Sequence, residues 1–180
     1  FNDKTGKMYV KINFQGKEIT QLAFDGKTGW STNFMTMKAE KLDSETTENM
    51  LSQVNDFPDP FYNYKDKGYK VELLGKETKE GTECFKIKLT KTPITVAGKK
   101  EENVVFYYFD TENYVPIMTE AEVKEGPAKG QISTSTMGDY QEVGGIFFPF
   151  TMNQGGQAMT VKSIDINPTI DAKVFEMKAE

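Results

Sequence analysis

Over most of this chain, apolar and polar residues alternate with a period of two. Met8, Val10, Ile12 and Phe14 alternate with Tyr9, Lys11 and Asn13, which predicts a half-buried strand over 8–14. Gln15-Gly16-Lys17 turns it, 19–24 returns, Asp25-Gly26 turns again, and a third strand starts at Gly29-Trp30. From Gly68 the same pattern resumes. Residues 69–77, 83–90, 104–110, 116–124, 131–140, 146–153 and 159–167 read as strands. Turn signals separate them at Lys79-Glu80-Gly81, Gly98-Lys99-Lys100, 110–113, Gly126-Pro127, Gly144-Gly145 and Gly155-Gly156. Such short connections favour antiparallel neighbours.

Residues 139–152 (DYQEVGGIFFPFTM) organise the rest. Gly144-Gly145 suits a two-residue turn that needs positive φ. After it, Ile146, Phe148 and Phe150 fall on one face, and Phe147 and Thr151 on the other. Pro149 has no N–H for a ladder, which places it at an edge or a bulge. The aromatic face of this hairpin needs a cover, either protein or ligand. Val104-Val105-Phe106-Tyr107-Tyr108-Phe109 is apolar on both sides and reads as a central strand.

The period of two fails at 33–64. Asp43 or Ser44 caps a helix over roughly 44–55, with Glu45 and Glu48 near its positive end. Met50, Leu51 and Val54 make a narrow apolar stripe, which suits a helix lying over a surface. Residues 56–64 (DFPDPFYNY) follow as an irregular aromatic loop. The tail 171–177 reads as a single turn that packs Val174 and Phe175 back onto a sheet. The fold class that follows is mostly β: one large, curved antiparallel sheet with a short helical lid over about 34–64. The chain is read as a single domain, 1–180.

Composition narrows the chemistry. A net charge of −5 gives no electrostatic reason to bind nucleic acid. The 22 basic residues are all Lys, so no bidentate guanidinium clamp exists, and there is no His to serve as general base or metal ligand. A single Cys excludes an internal disulfide or a cysteine-based metal cluster, and no apolar run is long enough to span a membrane. Asp110-Thr111-Glu112-Asn113 offers oxygen ligands for a cation but is more simply a hairpin turn. The 27 acidic residues sit mostly in turns or beside Lys on polar strand faces, which disfavours a two-carboxylate hydrolase. No catalytic residue, metal site or cofactor is expected. Nine Met and a 12% aromatic content point instead to an adaptable apolar surface.

Four phrases, FDGKTGW (24–30), GYKVELLGKE (68–77), YYFDTENYVPI (107–117) and DYQEVGGIFFPF (139–150), resemble the LolA-like outer-membrane lipoprotein-sorting superfamily in its Bacteroidetes-type form. The closing SIDINPTIDAKVFEM (163–177) extends the likeness over nearly the whole chain. The resemblance implies a half-open, unclosed β-barrel whose mouth is closed by helices over an apolar cavity. It implies a non-enzymatic periplasmic carrier of lipid or lipoprotein acyl chains, exported by a signal peptide that is then cleaved. The family's leading helix and strands are absent here, so the domain reads as N-terminally incomplete. The arginine that locks the carrier's lid is also absent.

From strand phase and lid position, the cavity is expected to be lined by Phe14, Leu22, Trp30, Met50, Leu51, Val54, Phe57, Phe85, Phe106, Tyr108, Phe148 and Phe150. A closed core made of the same residues is the competing reading. One bulge would exchange Phe106 for Val105 and Tyr107. Two other functions stay open: a stress-sensing or interaction domain that offers the groove to a membrane-associated protein partner, and a carboxylate hydrolase.

Overall fold

The computed structural model describes residues 1–177. The fold is mostly β, as the alternation predicts, and all its strand pairs are antiparallel. The strands form a four-stranded and a seven-stranded sheet where one continuous sheet was expected, and neither closes into a barrel. The division falls between residues 42 and 69, where helix and proline-containing turns replace the period of two and no ladder carries across. The chain separates into two compact units. One is 1–67 with 94–101 and the tail from 169, and the other is 68–93 with 102–168.

In the first unit, β1 (Lys7–Phe14), β2 (Lys17–Asp25), β3 (Gly29–Thr32) and β4 (Ala39–Lys41) pair in sequence order. Val10 faces Leu22 but Lys11 faces Thr20, so Gln21 is an extra residue on β2. Met8, Val10, Leu22 and Phe24 share one face of this sheet, while Tyr9, Ala23 and Trp30 share the other. The tail covers the second face with a 3₁₀ turn, Ala172–Phe175. The Phe175 ring lies 6.1 Å from Phe1 and 6.2 Å from Tyr9, and its carbonyl accepts the Trp30 indole N–H at 3.1 Å.

The helix α1 (Ser44–Gln53) starts where the sequence predicts. The Asp43 carboxylate accepts the Thr46 N–H at 2.7 Å. Its polar face does more than meet solvent. Glu45, Glu48 and Asn49 lie at i, i+3 and i+4, hence on one side, and they hold the hairpin tip 94–101. The Glu45 carboxylate accepts the Ala97 and Gly98 N–H groups at 2.9 and 2.8 Å. Asn49 exchanges two bonds with the Thr95 backbone, at 2.7 and 2.9 Å. Glu48 takes the Thr95 hydroxyl at 3.0 Å and the Lys100 ammonium at 2.6 Å.

In the second unit, β5 (Lys70–Lys79), β6 (Thr82–Val96), β7 (Lys99–Asp110), β8 (Pro116–Glu122), β9 (Ile132–Val143), β10 (Ile146–Gln154) and β11 (Gln157–Thr160) form one meander in spatial order. β6 and β7 run further than the alternation shows. They continue through Pro93 to the two-residue turn Ala97-Gly98, with φ of 50° and 75°. The Gly144-Gly145 turn has φ of 61° and 85°, as its residues require. β11 pairs with β10 over 151–154, and the Val161 N–H continues to the Phe150 carbonyl at 2.8 Å, so Pro149 lies just beyond that outer pairing.

Candidate functional site

The seven-stranded sheet has two faces of opposite character. Opposed residues in an antiparallel pair point the same way, so the register assigns each side chain. Tyr108 faces Met118, Phe106 faces Glu120, and Met118 faces Thr136. Cys84 packs with Tyr108 and Met118 and so belongs to this side. Glu77 faces Cys84 across the β5–β6 pair and joins them.

On this side the aromatic residues lie under charge. The Tyr108 hydroxyl donates to Glu120 Oε2 at 2.6 Å, and Lys79 Nζ reaches Glu120 Oε1 at 3.1 Å. Lys79 sits 4.5 Å from the Tyr108 ring centroid, and Lys86 sits 5.4 Å from Tyr108 and 5.5 Å from Phe106. Glu77 links the two lysines, at 3.4 Å to Lys79 and 2.9 Å to Lys86. Burial by itself raises the Glu120 pKa, but the Tyr108 and Lys79 hydrogen bonds and the lysine charges outweigh it and hold the carboxyl below its ordinary range. The Tyr108 phenol is pushed up by burial and then by Glu120. Each carboxylate here is engaged by lysine, so neither stands ready as a general acid or base.

The opposite face is largely apolar, with an ion pair at its β5–β6 end: Lys76 faces Phe85, lies 5.3 Å from its ring centroid and pairs with Glu83 at 2.7 Å. Phe148 faces Gln141, and Phe150 and Met152 follow Phe148 at period two on β10. Met152 faces Met137 on β9, and Val105 faces Ala121 and Tyr107 faces Thr119 across β7 and β8. Phe85, Ile87 and Leu89 alternate away from Cys84 and Lys86 on β6, so they also belong here. The Tyr107 and Phe109 rings stack at 6.1 Å, and Phe85 stacks on Tyr114 at 6.2 Å. Leu89 and Phe150 are buried, whereas Phe85, Tyr107, Phe148, Met137 and Met152 are only half-buried.

The twelve residues expected to line one cavity are therefore distributed over several surfaces. Phe85, Phe148 and Phe150 share the apolar face of the seven-stranded sheet. Phe106 and Tyr108 share its charged face, and Val105 and Tyr107 stand in their place. The physical reason is register. Period two decides which residues of one strand agree, but pairing and bulges decide how strands agree with each other. β8 carries an extra residue, Ile117, between the partners of Tyr108 and Phe109.

In the first unit, Leu22 shares a face with Met8, and Phe14 packs on Phe34 with ring centres 5.5 Å apart. Met50, Val54 and Phe57 close with Met8 around a cleft of about 20 Å³, which is water-sized. Gly6 permits this approach: a Cβ there would lie 2.2 Å from Val54 Cγ2. Leu51 is exposed, and Trp30 is buried on the opposite sheet face against the tail. Val105 and Tyr107 are the pair that the bulge alternative named, whereas Ile87, Leu89, Phe109, Met137 and Met152 are members of the apolar face that sequence reasoning missed. The Met137 signal was its alternation with Thr136 and Gly138 on β9.

Two further expectations concern ions and spans. The Asp110 carboxylate accepts the Glu112 N–H at 2.8 Å and the Asn113 amide at 2.7 Å, so it serves the turn. Among the described residues no group of three His, Cys, Asp or Glu is placed to hold a metal, and no helix is long and apolar enough to cross a membrane.

The architecture is that of an open antiparallel β protein with one short helix. Among solved structures it is similar to a Vibrio parahaemolyticus domain described as an outer membrane lipoprotein-sorting protein. The TM-score is 0.51 at 13% identity, over 94% of this chain and 80% of that one. This likeness shows the fold, which is that of the lipoprotein-sorting domain and agrees with the resemblance read from the sequence. Weaker likenesses are to a LolA superfamily protein from Nitrosomonas europaea and a DUF1329 family protein from Desulfovibrio piger. The first has a TM-score of 0.45 at 13% identity, over 88% of this chain and 74% of that one. The second has a TM-score of 0.45 at 12% identity, over 94% and 88%. No protein-family model and no curated protein matches the sequence.

Proposed function

We propose that this chain is a non-enzymatic lipid- or lipoprotein-binding protein of carrier type, which shelters acyl chains on the apolar face of the seven-stranded sheet. The observation that carries the reading is the row of half-buried Phe148, Met152 and Met137 around buried Phe150 on β9 and β10, strands that carry no lysine. Each methylene buried there contributes about 0.8 kcal/mol, so a sheathed chain of ~15 carbons gains on the order of 12 kcal/mol before ordering costs. Methionine and phenylalanine suit cargo of varied length, because such a surface repacks readily. The fold likeness to a lipoprotein-sorting domain supports the same reading and, with it, a periplasmic location after export.

The test is organic extraction and native mass spectrometry of the purified protein, followed by titration with a fluorescent fatty acid. Co-purified lipid, or saturable micromolar binding that Phe148→Ser weakens at least tenfold, is the expected result. A protein that is lipid-free and takes up no probe overturns it. A groove for a membrane-associated protein partner is the second reading. Ile146, which shares the face of Phe148 and is 56% exposed, favours it.

A further inference from the structure

Three methionines stand in line across the outer strands of the seven-stranded sheet. Met152 on β10 is directly opposite Met137 on β9 and directly opposite Met159 on β11. All three therefore project from the same face. Neighbouring strands lie about 4.8 Å apart, so the outer two backbones are roughly 10 Å apart. Methionine is unbranched with three rotatable bonds, and its sulfur lies near the end, so three thioethers on this spacing can meet over the central strand.

From this row we infer a binding site for a soft monovalent cation, copper(I), with Met137, Met152 and Met159 as its ligands. The site goes beyond lipid binding and does not depend on it. Thioether sulfur is a soft donor that selects copper(I) over the harder divalent ions. The chain offers little competition for such an ion: it has no His, and its single Cys is fully buried. Access is available, since Met159 is 46% exposed at the edge strand and Met137 and Met152 are half-buried behind it. The electrostatics also favour a cation. The chain has 22 lysines, yet β9, β10 and β11 carry none, while β9 supplies Asp139 two residues along from Met137. Phe150, adjacent to Met152 on the same face, is nearly buried and shields the inner side from water.

Thioethers carry no proton at any biological pH, so metal and proton do not compete at this site. Binding is accordingly expected to be flat from pH 7 to pH 5, unlike binding at a thiolate or an imidazole. The probe is silver(I), a redox-inert d¹⁰ ion, titrated into the full chain carrying ¹³C-methyl methionine. The expected result is one equivalent bound, with the methyl signals of Met137, Met152 and Met159 shifting together and the other six unmoved. Met152→Leu conserves volume and fold, and it should weaken binding at least tenfold at both pH values. Two outcomes overturn the site: no saturable shift of these three methyls, or unchanged affinity in the Met137→Leu/Met152→Leu/Met159→Leu variant. A tenfold loss of affinity between pH 7 and pH 5 overturns it as well, by placing the ion on a proton-competing ligand.

Discussion

The two faces of the seven-stranded sheet contain similar amounts of aromatic surface and treat it in opposite ways. On one, Phe106 and Tyr108 lie beneath Lys79, Lys86, Glu77 and Glu120, each held by a named hydrogen bond or ring contact. On the other, Lys76 lies 5.3 Å from the Phe85 ring centroid and pairs with Glu83 at 2.7 Å, whereas Phe148 stands half-buried beside Met137 and Met152 on strands that carry no lysine. A lysine stem covers apolar area while its head stays wet, so the first face is finished by its own chain. The second is covered in that way at Phe85 alone among the aromatic residues named here, and in the proposed reading lipid finishes its outer strands. What separates the charged face from the proposed binding face is where lysine and glutamate are placed, since hydrophobicity is common to both.

The largest test of that contrast is Phe150→Ala. This side chain is 8% exposed on the binding face, and its removal is expected to cost about 3 kcal/mol in urea unfolding as well as lipid affinity. Tyr108→Phe comes next. It removes the hydroxyl bond to Glu120 and leaves that carboxylate to Lys79, which should cost about 2 kcal/mol while leaving fatty-acid binding unchanged. If it weakened binding as much as Phe148→Ser, the two faces would not be functionally distinct.

Alkaline unfolding probes the charged face at Tyr140, whose hydroxyl donates to the Pro116 carbonyl and whose pKa burial pushes up to about 12. A raised folded value means full stability below the unfolded value near 10, lost as pH climbs through about 12. Tyr140→Phe should remove that alkaline step from a circular-dichroism titration. Acid acts in the other direction through Glu120. Its folded pKa is depressed, so its contribution is present above the ordinary glutamate value and fades as pH falls through the lower folded one. The Tyr108→Phe variant should show a smaller acid slope. The smallest effect belongs to Phe147→Ser. Phe147 faces Glu142 on the charged side and is 59% exposed, so stability should move by less than about 0.5 kcal/mol and lipid affinity not at all.

Much of this fold is visible in local chemistry. Gly144-Gly145 announces its turn because two successive positive φ values admit few residues, and Asp43 announces the start of α1 because its side chain caps its own helix. The end of the β6–β7 hairpin is not visible. Pro93 and the charged run after Gly98 read as loop, yet the ladder passes through them. Nor does the role of Glu45, Glu48 and Asn49 show. They look like a solvated helix face, and their partners are about fifty residues away in sequence, where no periodicity points to them. The apolar face itself was legible strand by strand. Its assembly was not, because Phe106 and Phe148 each alternate correctly but only the register shows that they point to opposite sides.

Pro149 has a consequence for how the edge of this sheet opens. The Phe150 carbonyl turns outward and accepts the Val161 N–H at 2.8 Å, so the backbone of Pro149, one residue earlier, turns inward to β9, where it faces Tyr140. The ring therefore removes a donor from the β9–β10 ladder itself. Hydrogen exchange should accordingly be faster over 146–149 than over 151–154, which is paired on both sides.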